Sequence, residues 1–234
     1  NKKISSRMRL FFIKMIYKVS LSKKNKHLIF QNNSDKDQIK KIKNFNNSNY
    51  TIIKGSGINL KKFKFKKIPP TPLIFLMASR FIKEKGIWEY VKASSIVKKK
   101  YKNVIFKLVG NIDPENPSSL QIKDLQIIKN ISSVELCSFT TDIRKIIKNS
   151  HIVVLPSYYG EGVPKILIEA CALGRPIIST NIPGCKETVE NGKNGILVNP
   201  KNVNLLAEAM EKLILNKHKL HEMGMYSRKI AISK

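Results

Sequence analysis

From residue 68 onward the chain alternates short, largely apolar runs with longer amphipathic stretches. The runs cover 73–78, 104–109, 152–155, 177–180 and 196–198, and they are apolar on successive positions rather than on every second one. A strand apolar on both faces is buried on both, as in a parallel sheet covered by helices above and below. Helical periodicity at 87–100, 118–130, 143–149 and 165–173 fills the intervals. The pattern predicts an open, doubly wound α/β domain with a Rossmann-like parallel sheet. Two further helical patterns, 203–215 and 220–232, have no strand of their own. They are expected to pack over the domain or to reach a neighbour.

Upstream the same logic predicts a strand at 27–30, a helix at 35–45 and a strand at 50–53, too little for a domain but the right shape for the closing unit of one. An apolar stretch at 8–19 is interrupted by Lys14 and Lys18 and preceded by Arg7 and Arg9. It reads either as a helix packed on a domain or as a basic amphipathic helix at a membrane interface, and the first kind is the commoner. It is too short and too charged to span a bilayer. Gly55, Ser56 and Gly57 are followed by a lysine-rich stretch ending at Pro69 and Pro70. Glycine supplies unusual backbone angles and proline stops regular structure, so 55–72 is expected to be a linker, with Phe63 and Phe65 lying among solvated lysines. The expected organisation is 1–54, the remnant of a second Rossmann-like domain; 55–72, linker; 73–216, the main α/β domain; and 217–234, a carboxyl-terminal helix. Asn1 at the start and a helical pattern still running near Lys234 carry the expectation that both ends are truncated.

Charge adds an ambiguity. The 234 residues hold 44 Lys+Arg against 16 Asp+Glu, a net charge of +28. Such a balance raises nucleic acid or anionic lipid as partners. Yet Arg stands only at positions 7, 9, 80, 144, 175 and 228, and the lysines are scattered among Asn and Ile. A nucleic-acid surface concentrates Arg and aromatics on one element, so compositional bias is the preferred reading and no nucleic acid is expected. Cys137, Cys171 and Cys185 are odd in number and lack metal-site spacing, which fits a reducing cytoplasm. His218 and His221 lie one helical turn apart without a third ligand and read as a solvated face.

The segment that carries chemistry is Pro156-Ser-Tyr-Tyr-Gly-Glu161-Gly-Val-Pro164-Lys-Ile-Leu-Ile-Glu169-Ala. It starts at the carboxyl end of a strand, where open α/β sheets bind ligands, and feeds a helix. Gly160 and Gly162 permit close backbone approach, and Pro164 suits a first helical turn. The amides of that turn favour an anionic or hydroxyl-rich ligand. Glu161 in the loop and Glu169 on the helix can accept hydrogen bonds from sugar hydroxyls. The plainer alternative is a loop charge and a solvated helix residue, but Glu169 sits in a largely apolar helix, where a carboxylate needs a partner to offset its desolvation.

This segment resembles the Glu, seven residues, Glu signature of glycosyltransferase family 4, retaining enzymes of the two-domain GT-B fold. Ser79-Arg80-Phe81-Ile-Lys-Glu-Lys85-Gly86, Gly174-Arg175-Pro176, Pro183-Gly184-Cys185-Lys186-Glu187 and Asn191-Gly-Lys-Asn-Gly195 strengthen the likeness, which covers about 27–230. The resemblance implies Glu161 beside the transferred sugar, Glu169 on the ribose, and Arg80 and Lys85 on the donor diphosphate, where cations stabilise a leaving group. It further implies that Gly162, Val163 and Pro164 face sugar and phosphate and that Phe139 lies near the base. No Asp-x-Asp pair is present, and neither a metal nor another cofactor is expected. Two departures stand out: Cys137 and Ser138 replace the glycine usual before Phe139, and His151 replaces an acidic residue. The implied activity is hexosyl or N-acetylhexosaminyl transfer with retention. The donor is a nucleotide sugar, expected to be a UDP-sugar, and the acceptor is a saccharide or lipid-linked molecule of bacterial surface polysaccharide or glycolipid assembly. The implied place is the cytoplasm, with peripheral contact at the inner, anionic membrane face. With most of the acceptor-side domain missing, the fragment is expected to bind donor without transferring it. The rival readings are a non-catalytic basic module for anionic lipid or nucleic acid, and an inactive remnant.

Overall fold

The computed structural model describes residues 2–23, 25–41, 45, 49–131 and 133–233, with side chains described from residue 8. The chain divides into two compact units, Asn1–Gly55 and Ser56–Lys234.

The first unit holds α1 (Lys2–Ser22), β1 (Leu28–Phe30), α2 (Asn33–Lys40) and β2 (Tyr50–Ile52), with β1 parallel to β2. Asn32 caps α2 by accepting the Asp35 amide at 2.9 Å, which places the helix start two residues before the expected one. The expected end at 45 is not reached: α2 stops at Lys40, Phe45 is not helical, and 42–44 lie outside the described residues. The helix expected at 8–19 lies within the longer α1, and Phe11, Ile16 and Val19 on it are exposed. Arg7 lies outside the described side chains. Among the described residues no helix is long and apolar enough to cross a membrane.

The second unit is the predicted doubly wound domain. Its strands are β3 (Leu73–Ala78), β4 (Val104–Val109), β5 (Glu135–Cys137), β6 (Ile152–Leu155), β7 (Ile177–Thr180) and β8 (Gly195–Val198). All pairings are parallel, in the order β5-β4-β3-β6-β7-β8. Its helices are α3 (Ile87–Lys100), α4 (Ile122–Asn130), α5 (Ile143–Lys148), α6 (Lys165–Ala172), α7 (Pro183–Lys186), α8 (Val203–Leu215) and α9 (Leu220–Ser233).

Successive strand residues point to opposite faces and fill two cores. Phe75, Met77, Ile152 and Val154 pack beneath α3 and α8, while Leu76, Ala78, Val153 and Leu155 pack with α6 and α9. Phe75 and Phe106, in register on β3 and β4, stack with centroids 5.2 Å apart. The last two helices pack over the domain, α8 against α3 and α9 against α6. The helix expected at 118–130 begins only at Ile122, because 118–120 is bonded to the loop after β3: Ser118 accepts the Lys83 amide and Leu120 donates to Phe81.

The expected solvated linker is corrected by the structure. Residues 56–72 cluster with the second unit and are strapped to it by two arginines from far along the chain. Arg175, fully buried, donates to the Lys66 carbonyl at 2.9 Å, and Arg228 donates to the Phe63 carbonyl at 2.7 Å. The Phe65 ring lies against Gly174, where a Cβ would come within 2.4 Å of it, and the Arg144 guanidinium sits over the Phe63 ring. The lysines alternate outward while the two rings anchor the segment.

Candidate functional site

Counted within the second unit, the strand order is 3-2-1-4-5-6, and the direction of winding reverses between β3 and β6. The carboxyl ends of the two strands flanking such a reversal form a crevice that loops cannot fill. The loops leaving β3 and β6 are the two that carry Arg80, Lys85 and Glu161.

After β3 the chain makes a single 3₁₀ turn, Lys83–Lys85, that ends at Gly86 in the left-handed region at φ 80°. A Cβ at Gly86 would stand 2.2 Å from the Pro156 carbonyl oxygen, so only glycine lets the two loops close on each other. The Lys85 ammonium forms an ion pair with Glu161 across that closure. Both side chains are nearly buried, 14% and 10% exposed, and Lys85 also lies 5.6 Å from the Tyr159 ring centroid. A buried pair of this kind gives little net stability, since desolvation consumes most of the attraction, and its place at the switch point makes it a candidate for function. Arg80 behaves differently. It is 58% exposed and donates to Asp113, on the loop after β4, at 2.7 Å.

The β6 loop is fixed by Ser157 and by backbone. Tyr158 donates its amide to the Glu84 carbonyl at 2.8 Å, and the Ser157 carbonyl accepts the Thr180 hydroxyl. Gly184, at the start of α7, packs on the same loop, where a Cβ would come within 2.1 Å of the Gly162 carbonyl oxygen. Gly160 differs: a Cβ there would meet nothing within 4 Å, so nothing in the protein requires its close approach. Pro164 precedes the first turn of α6 as its cap residue, accepting the Leu167 amide at 3.0 Å. Gly162 and Val163 lead into it. The Lys165 and Ile166 amides of that first turn take no hydrogen bond among the described residues, which leaves a positive helix end toward the crevice side of the sheet.

Glu169 lies within α6 and is 7% exposed. No described residue hydrogen-bonds its carboxylate, and neither oxygen is fully cut off from solvent. Burial pushes its carboxyl above the ordinary range, with Lys165 pulling the other way. Two further polar atoms beside the crevice, Ser79 Oγ and Glu84 Oε2, are buried without a partner among the described residues. Phe139 is not drawn into this cluster. It follows β5, with β4 and β3 between it and β6, and is 59% exposed. His151, at the amino end of β6, is buried and accepts the Ile74 amide through Nδ1 at 3.1 Å. Burial first, and then Arg175, hold its pKa below the ordinary value. It serves the opposite end of the sheet from the crevice.

Among the described residues no group of three or more His, Cys, Asp or Glu side chains converges as a metal site. His218 and His221 are exposed, and Cys137, Cys171 and Cys185 are unpaired. Sequence reasoning passed over Ser157 and Asp113, which bond Glu161 and Arg80, and Glu84, whose carbonyl accepts from Ser157 and Tyr158. Ser157 stood inside the quoted motif, but nothing in the linear pattern marks a hydroxyl that will face a carboxylate.

Solved structures superpose closely on the chain. A glycosyltransferase from Rickettsia africae ESF-5 gives a TM-score of 0.77 at 21% identity, covering 92% of this chain and 62% of that one. The Anabaena protein HepE, solved in complex with UDP-glucose, gives 0.76 at 18%, covering 93% and 63%. The fold is that of the GT-B glycosyltransferases. A Campylobacter jejuni N,N'-diacetylbacillosaminyl-diphospho-undecaprenol alpha-1,3-N-acetylgalactosaminyltransferase is 32% identical over 218 residues, 87% of this chain. The Staphylococcus aureus capsular polysaccharide biosynthesis glycosyltransferase CapM is 29% identical over 220 residues, 90% of this chain. The chain spans 55% of the length of each. Residues 59–230, which hold the whole β3–β6 crevice, match the family model of the group 1 glycosyl transferases, and the chain belongs to that family.

Proposed function

We propose that this chain supplies the donor-binding side of a retaining glycosyltransferase of family 4 that uses a UDP-sugar. The observation that carries the reading is the near-buried Lys85–Glu161 pair bridging the carboxyl ends of β3 and β6. A ligand in that crevice meets two cations, Arg80 and Lys85, suited to a diphosphate whose charge grows as it leaves. It also meets the amino end of α6 behind Gly162, Val163 and Pro164, Glu161 as acceptor for sugar hydroxyls, and Glu169 as a buried acceptor for the ribose. With no side-chain nucleophile evident, rate enhancement is assigned to positioning and leaving-group stabilisation.

The proposal for this chain by itself is donor binding. For a protein of its relatives' length it extends to hexosyl or N-acetylhexosaminyl transfer onto a saccharide or lipid-linked acceptor in bacterial surface polysaccharide or glycolipid assembly. The names of the Campylobacter and Staphylococcus relatives, both about such assembly, support that extension. Work at the inner face of the membrane fits the basic charge of +28. The exposed Phe139 is proposed as a flank of the base site.

Thermal shift with UDP, GDP and ADP and their sugars tests the reading. UDP and a UDP-sugar are expected to raise Tm, and Arg80→Ala is expected to cut the affinity for each by about tenfold, the scale of one charged hydrogen bond. Because Arg80 is 58% exposed, its loss should leave the Tm of the ligand-free chain unchanged. Absence of any nucleotide effect on the unmodified chain would reject the donor site. A preference for GDP or ADP would reject the UDP assignment.

A further inference from the structure

Ser157 is fully buried, and its hydroxyl stands between the two loops of the crevice. It lies 2.9 Å from Glu161 Oε1 and 3.1 Å from the Glu84 carbonyl oxygen, and it accepts the Tyr159 amide at 3.2 Å. The same Glu161 oxygen takes the Lys85 ammonium. The hydroxyl has one proton for two acceptors, the Glu84 carbonyl and the Glu161 carboxylate, and the nearer, charged carboxylate has the stronger claim on it. Since Glu84 and Lys85 are neighbours in the chain, the four groups still lie in a ring of contacts: Glu84 carbonyl, Ser157 hydroxyl, Glu161 carboxylate, Lys85 ammonium, and back through one peptide. The ring joins β3 to β6 at the winding reversal, and it is supported from outside. Thr180 donates to the Ser157 carbonyl and Ser118 donates to the Glu84 carboxylate at 2.8 Å.

We infer that Ser157 is a positioning residue of the donor site, holding the Glu161 carboxylate in the orientation that keeps one edge on Lys85 and turns the other toward the sugar. The inference rests on the donor-site reading given above. Acceptor capacity sets the orientation. Glu161 Oε1 receives both Ser157 and Lys85, so that edge of the carboxylate is occupied within the protein. No described residue bonds Oε2, which leaves it to accept from a ligand hydroxyl. Two bonds to one oxygen fix the rotation of the carboxylate, where one would let it turn about the ammonium. A hydroxyl is suited to this place because it can donate to an anion while accepting a backbone amide, and a buried serine does so with a single torsion to order. Without it Glu161 keeps its charge and its cation but loses its aim.

The test is a double-mutant cycle on the full 234-residue chain, combining Ser157→Ala and Glu161→Ala, with affinities for UDP, UDP-glucose and UDP-N-acetylglucosamine read by calorimetry. Ser157→Ala is expected to weaken at least one of the two UDP-sugars by about tenfold while changing UDP by less than about threefold, because the lost aim concerns the sugar. In the Glu161→Ala background the same substitution is expected to change UDP-sugar affinity by less than about twofold. Loss of UDP and UDP-sugar affinity in equal proportion would mean that Ser157 only supports the loop, and so would an undiminished effect without Glu161. Either result overturns the inference while leaving the donor site in place. If the unmodified chain binds UDP but neither sugar any better than UDP, the aim assigned to Glu161 is wrong and the inference falls with it. If it binds none of the three, the donor-site reading fails first.

Discussion

Glu169→Gln is expected to stabilise the ligand-free chain and, in the same protein, to weaken UDP by about tenfold. A residue kept for packing cannot do both. Glu169 sits in α6 between Ile168 and Ala170 and is 7% exposed, with no hydrogen-bond partner for its carboxylate among the described residues. Desolvation raises its carboxyl above the ordinary carboxylate range, so the folded chain holds that proton more tightly than the unfolded chain. The contribution of that proton to stability is complete below the unfolded value, near about pH 4, and is lost as pH rises through the raised folded value. Glutamine keeps the shape without the charge. The Tm advantage of the variant should therefore be small near about pH 4 and grow to a plateau above the raised value. A unit of this size gains roughly 2–4 °C for each kcal/mol. Thermal melts across pH 4 to 8, with and without UDP, check both halves. A variant that loses stability at every pH would show that the carboxylate is held by something within the protein, and one that binds UDP unchanged would show that Glu169 does not meet the nucleotide.

The second large effect is structural and falls at Gly86. Gly86→Ala is expected to lower Tm by about 10 °C or to prevent folding of the second unit, whereas Gly160→Ala, in the opposing loop, should shift it by less than about 2 °C. At Gly86 two penalties coincide. The backbone is left-handed at φ 80°, and an added Cβ would lie 2.2 Å from a carbonyl oxygen of Pro156, which cannot give way without moving the end of β6. Gly160 carries neither penalty, since a Cβ there meets nothing within 4 Å. Circular dichroism melts of the two variants separate the cases. Equal effects would mean that the two loops do not close on each other as described.

The sheet was legible because its strands are buried on both faces. Runs such as Leu73–Ala78 and Ile152–Leu155 lack the alternation of a half-exposed strand, and their lengths are those of strands. β5 escaped because it has three residues, begins with the exposed Glu135 and sits at a sheet edge, where one-sided burial leaves little pattern. α7 escaped for a related reason: four residues, Pro183–Lys186, cannot show helical periodicity. The segment 56–72 misled because composition reports the lysines, which do face outward, while the residues that hold its backbone are Arg175 and Arg228, more than a hundred positions away.

The site divides along the same line. Glu169 could be singled out from the apolar residues around it, and Glu161, Arg80 and Lys85 from the likeness of their motifs. That Lys85 meets Glu161 rather than standing free, and that Arg80 leans on Asp113, are facts of tertiary geometry across 76 and 33 positions. Ser157 and Glu84 belong to the same class. Their chemistry is ordinary and only their placement at the β3–β6 reversal gives them a role.

That reversal is the centre of the account, and hydrogen exchange read by mass spectrometry on the chain with and without UDP tests it most directly. The proposed donor site implies slowed exchange in the loops leaving β3 and β6 and the first turns of α6, residues 79–86 and 156–169, and around Phe139 at the base flank. No change on saturation with UDP, or protection confined to the first unit, would contradict it.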